Sequence, residues 1–459
     1  MKNITHPASF RDPAGFVFIE NGKYYRAVSK EYLAEYELMI SSGLYKKLTK
    51  TGLLIRHDEI KGQQKSETYP KILYPVQVPF ISYPYEWTFS QLKDAALAML
   101  EIQRWAMEHK MSLKDATPYN IQFVNGQPCL IDTLSFESWD ETKPWVPYKQ
   151  FCEQFLAPLA MAAYGNSHIL SLQQSNMDGI PLELVTEYLP LRTKMKFGLL
   201  IHLVFHAKAQ KRNHITPKTE HQKGKFRAEA LFGLIESLRQ TVSSLHEKRQ
   251  AGKWGTYYQD CIGDKEYLLQ KKEFIKKAVK IIHPANAWDI GANTGYFSRF
   301  LAELGVFTVS LDGDISCVNE NYRLCKEQHC AKVLPLVVNI CNPSPAIGWQ
   351  NTERASLIQR GPADLIVALA LIHHFAIAKN IPFEKIASFF ASCGKWLLIE
   401  FVPKDDPNVQ TMLSLRKDIF KDYTEESFKK TFSKYFTVKL IKPLQGSHRA
   451  LYLMKKKKV

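Results

Sequence analysis

An aspartate at the end of a short apolar run, followed by a glycine-punctuated turn, is the strongest chemical signal in the chain: Ala287-Trp288-Asp289-Ile290-Gly291-Ala292-Asn293-Thr294-Gly295-Tyr296-Phe297. Gly291 and Gly295 let the backbone approach a ligand closely, and Asn293 is among the few other residue types that tolerate positive φ. Read as strand, turn and helix, the segment places a ligand at the carboxyl end of the strand. A dinucleotide loop would read G-x-G-x-x-G with a pyrophosphate on the helix N-terminus, but Asp289 stands just before the turn and repels phosphate. An acid there suits a ligand that carries positive charge. Asp312 closes the next apolar run, Val306 to Leu311, 21 residues after Gly291. An acid at that place can accept both ribose hydroxyls, which supports a nucleoside without choosing one; Asp314 is a neighbour able to share the role. His373 and His374 follow a further run, Leu365 to Ala370, and Glu400 lies in the last, Trp396 to Phe401. One of the histidines acting as general base is the functional reading, and Glu400 is also well placed. Packing between helix and sheet, or capping of local backbone, is the plainer alternative for each.

S-adenosylmethionine (SAM) carries an ammonium and a sulfonium but no phosphate, and so fits the acid. D-I-G-A-N-T-G, L-D-G-D, V-N-I, A-D-L-I-V-A-L-A-L-I-H-H and W-L-L-I-E-F-V-P-K, in that order, resemble the motifs of class I SAM-dependent methyltransferases over about residues 253–459. The resemblance implies a Rossmann-like α/β domain with a mainly parallel, doubly wound sheet and SAM as cofactor. It implies that Asp289, Gly291, Ala292, Asn293 and Gly295 hold the methionine part, Asp312 the ribose, and Asn339 with Ile340 the adenine edge. Many family members have glycine where this chain has Asn293. Methyl transfer needs alignment and desolvation from the protein, and a base only where the acceptor must lose a proton. Small molecule, saccharide and protein acceptors stay open. The chain also resembles nodulation-associated methyltransferase-like proteins, which implies a saccharide or lipid-linked acceptor. An RNA methyltransferase and a non-catalytic SAM- or ATP-binding protein are the rival functions.

Met111 to Glu137 carries a second constellation, M-S-L-K-D-A-T-P-Y-N followed by I-Q-F-V-N-G-Q-P-C-L-I-D. Asp115 and Asn120 have the D-x-x-x-x-N spacing of a kinase catalytic loop, and a hairpin then delivers Asp132, where kinases hold a metal-binding acid. The segment resembles the aminoglycoside phosphotransferase and small-molecule kinase group over about residues 10–245. Departures are that no glycine-rich phosphate loop appears near Gly15, Leu113 stands where a histidine is usual, and the strand lysine has no counterpart beyond Lys23 or Arg26. The resemblance implies a degenerate kinase-like α+β region that positions a substrate or partner, with ATP and magnesium as the ligands of an active form.

The elements that position these residues fall into three stretches. Residues 1–85 alternate short β-like runs (Gly15 to Glu20, Tyr24 to Val28, Tyr74 to Ile81) with a helix near Tyr32 to Ile40. Residues 86–250 are mainly helical: Leu92, Ala95, Ala96, Leu100 and Ile102 recur at helical spacing, and Gln122 to Leu130 forms a hairpin around Asn125-Gly126. After a boundary near Gly252, strands alternate with helices over 253–459, which implies a parallel sheet covered on both faces.

With 459 residues, two or three domains are expected. No apolar run is long enough for a membrane span, and no secretory signal opens the chain, so a cytoplasmic protein is expected. The eight cysteines form no C-x-x-C pair, which removes zinc ribbons and thioredoxin-like chemistry. His202 and His206, at helical i and i+4, are the nearest thing to metal ligands, without an evident third; no metal is expected. Trp254, Tyr257 and Tyr258 are candidates for an aromatic lid over a sulfonium, or for core. The net charge of +16 concentrates in Lys208 to Arg227 and Lys455 to Lys458. These stretches read as a solvated loop and a frayed tail, or as a contact for nucleic acid or an anionic surface.

Overall fold

A computed structural model describes residues 4–60, 66–215, 228–247, 265–414 and 417–458. The chain divides into two compact units, Met1–Arg249 with Ile347–Arg354, and Gln250–Ala346 with Ala355–Val459.

The first unit opens with an antiparallel sheet in the order β1-β2-β3-β5-β4, built from β1 (Ile4–Thr5), β2 (Gly15–Glu20), β3 (Lys23–Val28), β4 (His57–Glu59) and β5 (Lys71–Pro75). The third β-like run is corrected: the strand is Lys71–Pro75, not Tyr74 to Ile81, because a ladder rarely continues past proline, which has no N–H to donate. Helices Leu33–Ser41 and Leu44–Lys50 lie between β3 and β4 in sequence. The long helix Phe89–Glu108 starts at Thr88, whose hydroxyl accepts the Gln91 N–H while the Gln91 side chain accepts the Thr88 N–H. It buries Leu92, Ala95, Ala96, Met99, Leu100 and Ile102. Two small ladders follow: β6 (Met111–Leu113) with β9 (Phe136–Ser138), and β7 (Ile121–Val124) with β8 (Gln127–Leu130). Asn125 and Gly126 turn the second at φ 52° and 75°, as two consecutive left-handed residues of a hairpin turn should. From Tyr148 to Ser244 the described residues are mainly helical, with π-helical turns at Cys152–Leu156 and Leu200–Phe205.

The second unit holds one seven-stranded sheet in the order β12-β11-β10-β13-β14-β16-β15. Strands β10 (Asn286–Ile290), β11 (Phe307–Asp312), β12 (Val333–Val337), β13 (Ala363–Ala368) and β14 (Gly394–Phe401) are parallel. β15 (Phe436–Pro443) and β16 (Ala450–Lys456) form an antiparallel hairpin whose second strand pairs with β14. Parallel strands covered on both faces read as unbroken apolar runs, and Leu365, Val367, Leu398, Leu451 and Leu453 join Ile275, Ala278 and Leu301 in the core. β10 lies between β11 and β13, so the order of strands reverses there. The frayed-tail reading of Lys455 to Lys458 is corrected at its start: Lys455 and Lys456 continue β16, and the Lys455 ammonium lies 5.3 Å from the Trp396 ring centroid. The apolar run Ala450 to Met454 anchors that strand and carries the lysines with it.

Candidate functional site

The turn after β10 is held open by three left-handed residues, Gly291 at φ 76°, Asn293 at 52° and Gly295 at 74°. Its N–H groups tie it to β11: Gly291 and Ala292 donate to Leu311 O at 2.8 and 3.1 Å, and Asn293 donates to Asp312 Oδ2 at 2.7 Å. Asp312 Oδ1 accepts the Asp314 N–H at 2.8 Å, so both carboxylate oxygens are oriented by backbone. Asp314 caps the helix Ile315–Glu327 through the Ser316 and Cys317 N–H groups. A Cβ on Gly313 would stand 3.7 Å from Asn339 Cα, which sets the residue after β12 beside the Asp312 turn. Asn339 is exposed and Ile340 half-buried. A Cβ on Gly291 would meet Leu371 Cδ1 at 2.9 Å, which brings the segment after β13 against the same turn.

Asp289 lies beneath the turn, 3% exposed, with Oδ2 accepting the Ser298 hydroxyl at 2.6 Å. Ser298 in turn stands 2.9 Å from the Ser310 hydroxyl, which also accepts from Asn321 Nδ2. Burial raises the Asp289 carboxyl to about 7, with the Ser298 bond opposing and Asp312 adding to the rise. A cation brought near would favour its ionised form. Burial also raises the Asp312 carboxyl, against the pull of the Asp314 and Asn293 N–H bonds.

β13 stops at Ala368, and Ala370 turns into the left-handed region at φ 47° before Leu371 to His374. His373 is 2% exposed, and its Nδ1 has no hydrogen-bond partner among the described residues. Burial, then the neighbouring His374 and Arg449, lower its pKa to about 3; burial lowers His374 as well, so both imidazoles are neutral at pH 7. Their ring centroids are 4.2 Å apart. Glu400 is wholly buried and fully engaged. It accepts from Lys271 Nζ at 2.7 Å, from Arg449 Nη1 at 3.3 Å, from the Tyr267 hydroxyl, and from the Ala370 N–H at 2.9 Å. Arg449 also forks onto Asp406 through Nε and Nη2, at 2.7 and 3.1 Å. Burial alone would raise the Glu400 carboxyl; the charges of Lys271 and Arg449 and the hydrogen bonds outweigh it and bring it to about 2.

Sequence reasoning missed Tyr267, Lys271, Asp406 and Arg449, which arrive from the helix Lys265–Ile282, the segment after β14 and the approach to β16. One signal was there to find. Lys271 falls on the apolar stripe of its helix, between Leu268 and Ile275, where a charge needs a buried partner.

In the first unit Asp115, Asn120 and Asp132 come together. Asn120 Nδ2 donates to Asp115 Oδ2 at 3.0 Å and lies 3.4 Å from Ser135 Oγ, which donates to Asp132 Oδ2 at 2.7 Å. Arg26 on β3 forms an ion pair with Asp132, whereas Lys23 lies over the Tyr74 ring, so Arg26 is the strand cation that faces this cluster. Burial would raise Asp132; Arg26 and the Ser135 and Leu134 hydrogen bonds hold it below its ordinary value, while burial leaves Asp115 raised. His202 is engaged at both nitrogens, by the Tyr148 and Ser237 hydroxyls, and the His206 ring stacks on Tyr148. Among the described residues no three His, Cys, Asp or Glu side chains converge as a metal site. Trp254, Tyr257 and Tyr258 lie outside the described residues.

The chain is 32% identical over 456 residues to nodulation protein NoeA of Rhizobium meliloti (strain 1021), covering 97% of this chain and 94% of that one. No family model matches. Structural neighbours are SAM-dependent methyltransferases. They include the bifunctional kinase-methyltransferase WbdD, at 18% identity over 41% of this chain and 40% of that one with a TM-score of 0.30. Magnesium protoporphyrin IX methyltransferase ChlM from Synechocystis PCC 6803, solved with bound SAM, is 14% identical over 42% of this chain and 83% of that one, also with a TM-score of 0.30.

Proposed function

The chain belongs to the family of nodulation protein NoeA, and within that family we propose that its second unit is a class I, Rossmann-like domain that transfers a methyl group from SAM to an acceptor. One observation carries the reading: a glycine-opened turn at the reversal point of the sheet, with Asp289 beneath it and Asp312 on the adjacent strand end. Ligands of open α/β sheets bind in the crevice at such a reversal. Asp289 and Asp312 bring two carboxyls to the turn, and an approaching cation would favour their ionised forms, which suits a nucleoside bearing cations.

Asp312 would accept from the ribose hydroxyls. The turn Gly291 to Gly295 would lie against the methionine part, with Asp289 supplying negative charge from below, and Asn339 and Ile340 would border the adenine. SAM supplies an electrophilic methyl group on a sulfonium. His373 and His374, neutral and close to the turn through Leu371, are the candidate bases for an acceptor hydroxyl, and the less buried His374 is the better suited, since burial holds His373 at about 3. We assign Glu400 to positioning rather than proton transfer, since all its bonds go to cations, a hydroxyl and the Ala370 N–H. Titration calorimetry with SAM tests the site. Asp312→Ala is expected to weaken binding by about a hundredfold or more, because two charge-assisted hydrogen bonds at roughly 1.5–3 kcal/mol each are lost. Equal affinity in the variant would remove the ribose assignment.

For the first unit we propose a degenerate kinase-like region that serves as a scaffold. The specific observation is the Arg26 guanidinium on Asp132, occupying an oxygen that a magnesium ion would need. No heat is expected on titration with ATP and magnesium. Binding that disappears in Asp132→Ala would make this unit an active nucleotide site instead.

A further inference from the structure

We propose that the segment from Tyr188 to Phe197 in the first unit docks the protein on an anionic lipid surface. The segment follows the helix Leu182–Tyr188 and runs through a short 3-10 turn, Leu191–Met195, to Phe197. Leu191 is 75% exposed, Met195 85% and Phe197 74%, the most exposed large apolar side chains in the described part of the molecule. Leu184 and Tyr188, one helical turn apart on the preceding helix, are also exposed. Apolar side chains at this density on one surface loop mark a contact site rather than ordinary scatter.

These side chains face outward because the loop is pinned from inside. Leu182, Val185, Leu189, Thr193 and Leu199 are buried. Gly198 abuts Thr241 of the helix Ala228–Ser244 so closely that a Cβ would stand 1.9 Å from the hydroxyl oxygen. The Thr193 hydroxyl returns to Pro190 O at 2.7 Å, closing the turn on itself. The exposed apolar tips therefore belong to a fixed loop and are not the side chains of a fraying end.

Charge selects the partner. Arg192, Lys194 and Lys196 alternate with the apolar tips and are themselves exposed, and residues 188–198 contain no acid. Lys208 and Lys211 follow on the helix His206–Ile215; the nearest acids, Glu183 and Glu187, sit before the segment. Apolar tips flanked by cations fit an interface of acyl chains beneath anionic headgroups, and lysine and arginine stems can lie along the boundary while their charges reach the phosphates. A protein partner for three bare apolar tips would not need three cations between them. No described helix is long and apolar enough to cross a membrane, so the contact is one of surface insertion.

Full-length protein is sedimented with vesicles of phosphatidylcholine alone and of phosphatidylcholine mixed with phosphatidylglycerol. The expected result is binding to the mixed vesicles that falls steeply with salt, and little to the neutral ones. Arg192→Gln, Lys194→Gln and Lys196→Gln together should weaken it by about a hundredfold, at roughly fivefold per cation. Leu191→Ser, Met195→Ser and Phe197→Ser together should weaken it by tenfold or more with the far-ultraviolet spectrum unchanged. If the apolar variant misfolds, the charge variant and the salt series decide alone. No binding to the mixed vesicles, binding untouched by the charge variant, or a self-association that the serine variant abolishes in sedimentation equilibrium would each overturn the proposal.

Discussion

Replacing Glu400 with glutamine is expected to lower the melting temperature of the second unit by roughly 10 °C, read by differential scanning calorimetry. The native network sets two cations, Lys271 and Arg449, against two carboxylates, Glu400 and Asp406, in a place closed to water. Glutamine keeps the shape and removes one negative charge, which leaves an unbalanced buried cation. Breaking a buried pair from one side costs about 3–5 kcal/mol, and for a unit of this size each kcal/mol is worth about 2–4 °C. Adding Lys271→Met to the variant removes the orphaned cation and should recover part of the loss, a coupling that a double-mutant cycle isolates. If Glu400 worked only as a general base, the single variant would melt like the parent and lose turnover alone.

The same carboxyl makes a pH signature. Its pKa falls from an ordinary 4.5 to about 2 in the folded chain, so folding favours its ionised form. The stability it contributes is complete above 4.5, declines as pH drops below that, and is gone once pH has passed through about 2; the size is about 3 kcal/mol. The parent should therefore lose stability in that window by an amount that Glu400→Gln does not show.

Glu400 also explains a boundary that the sequence could not reveal. The apolar run Leu365 to Ala370 reads as strand to its end, yet β13 stops at Ala368, because the Ala370 N–H turns to donate to Glu400 and takes the residue to φ 47°. That bond links positions 30 apart, and no local pattern encodes it. The glycine turn after β10 was legible for the opposite reason. Its acid, its glycines and Asn293 lie within seven residues, and each residue type is fixed by a local demand, either left-handed φ or a charge at a strand end. The Asn125-Gly126 hairpin was legible on the same ground. β15 alternates exposed and less exposed residues over Phe436–Pro443 and so carries a period-two signal, but its partner β16 is buried along Ala450 to Met454 and shows none. The hairpin is therefore not legible as a pair, and its terminal lysines read as tail in the sequence. In the first unit, Asp115, Asn120 and Asp132 were found by spacing, whereas the choice of Arg26 over Lys23 needed the direction in which each side chain leaves β3.

Gly295→Ala is expected to weaken SAM binding by about a hundredfold and to destabilise the second unit. The residue is left-handed at φ 74°, where a Cβ costs roughly 1–2 kcal/mol. The added carbon would also stand 2.0 Å from Asn321 Oδ1. Asn321 cannot step aside freely, because its Nδ2 donates to Ser310 and its Oδ1 accepts from Arg299, whose guanidinium also holds Thr294 O at 2.6 Å. Either those bonds break, at about 1–3 kcal/mol for a buried group left unsatisfied, or the turn moves away from Asp312 and carries the Asn293 N–H with it. Gly446→Ala is the control: its φ is 78° but an added Cβ meets nothing within 4 Å, so it should show the backbone penalty alone and leave SAM affinity unchanged. Combining Gly295→Ala with Asn321→Ala removes the collision and should restore part of the affinity. Parental SAM affinity in Gly295→Ala would mean that the ligand does not lie against this turn, and the placement of the cofactor would have to be abandoned.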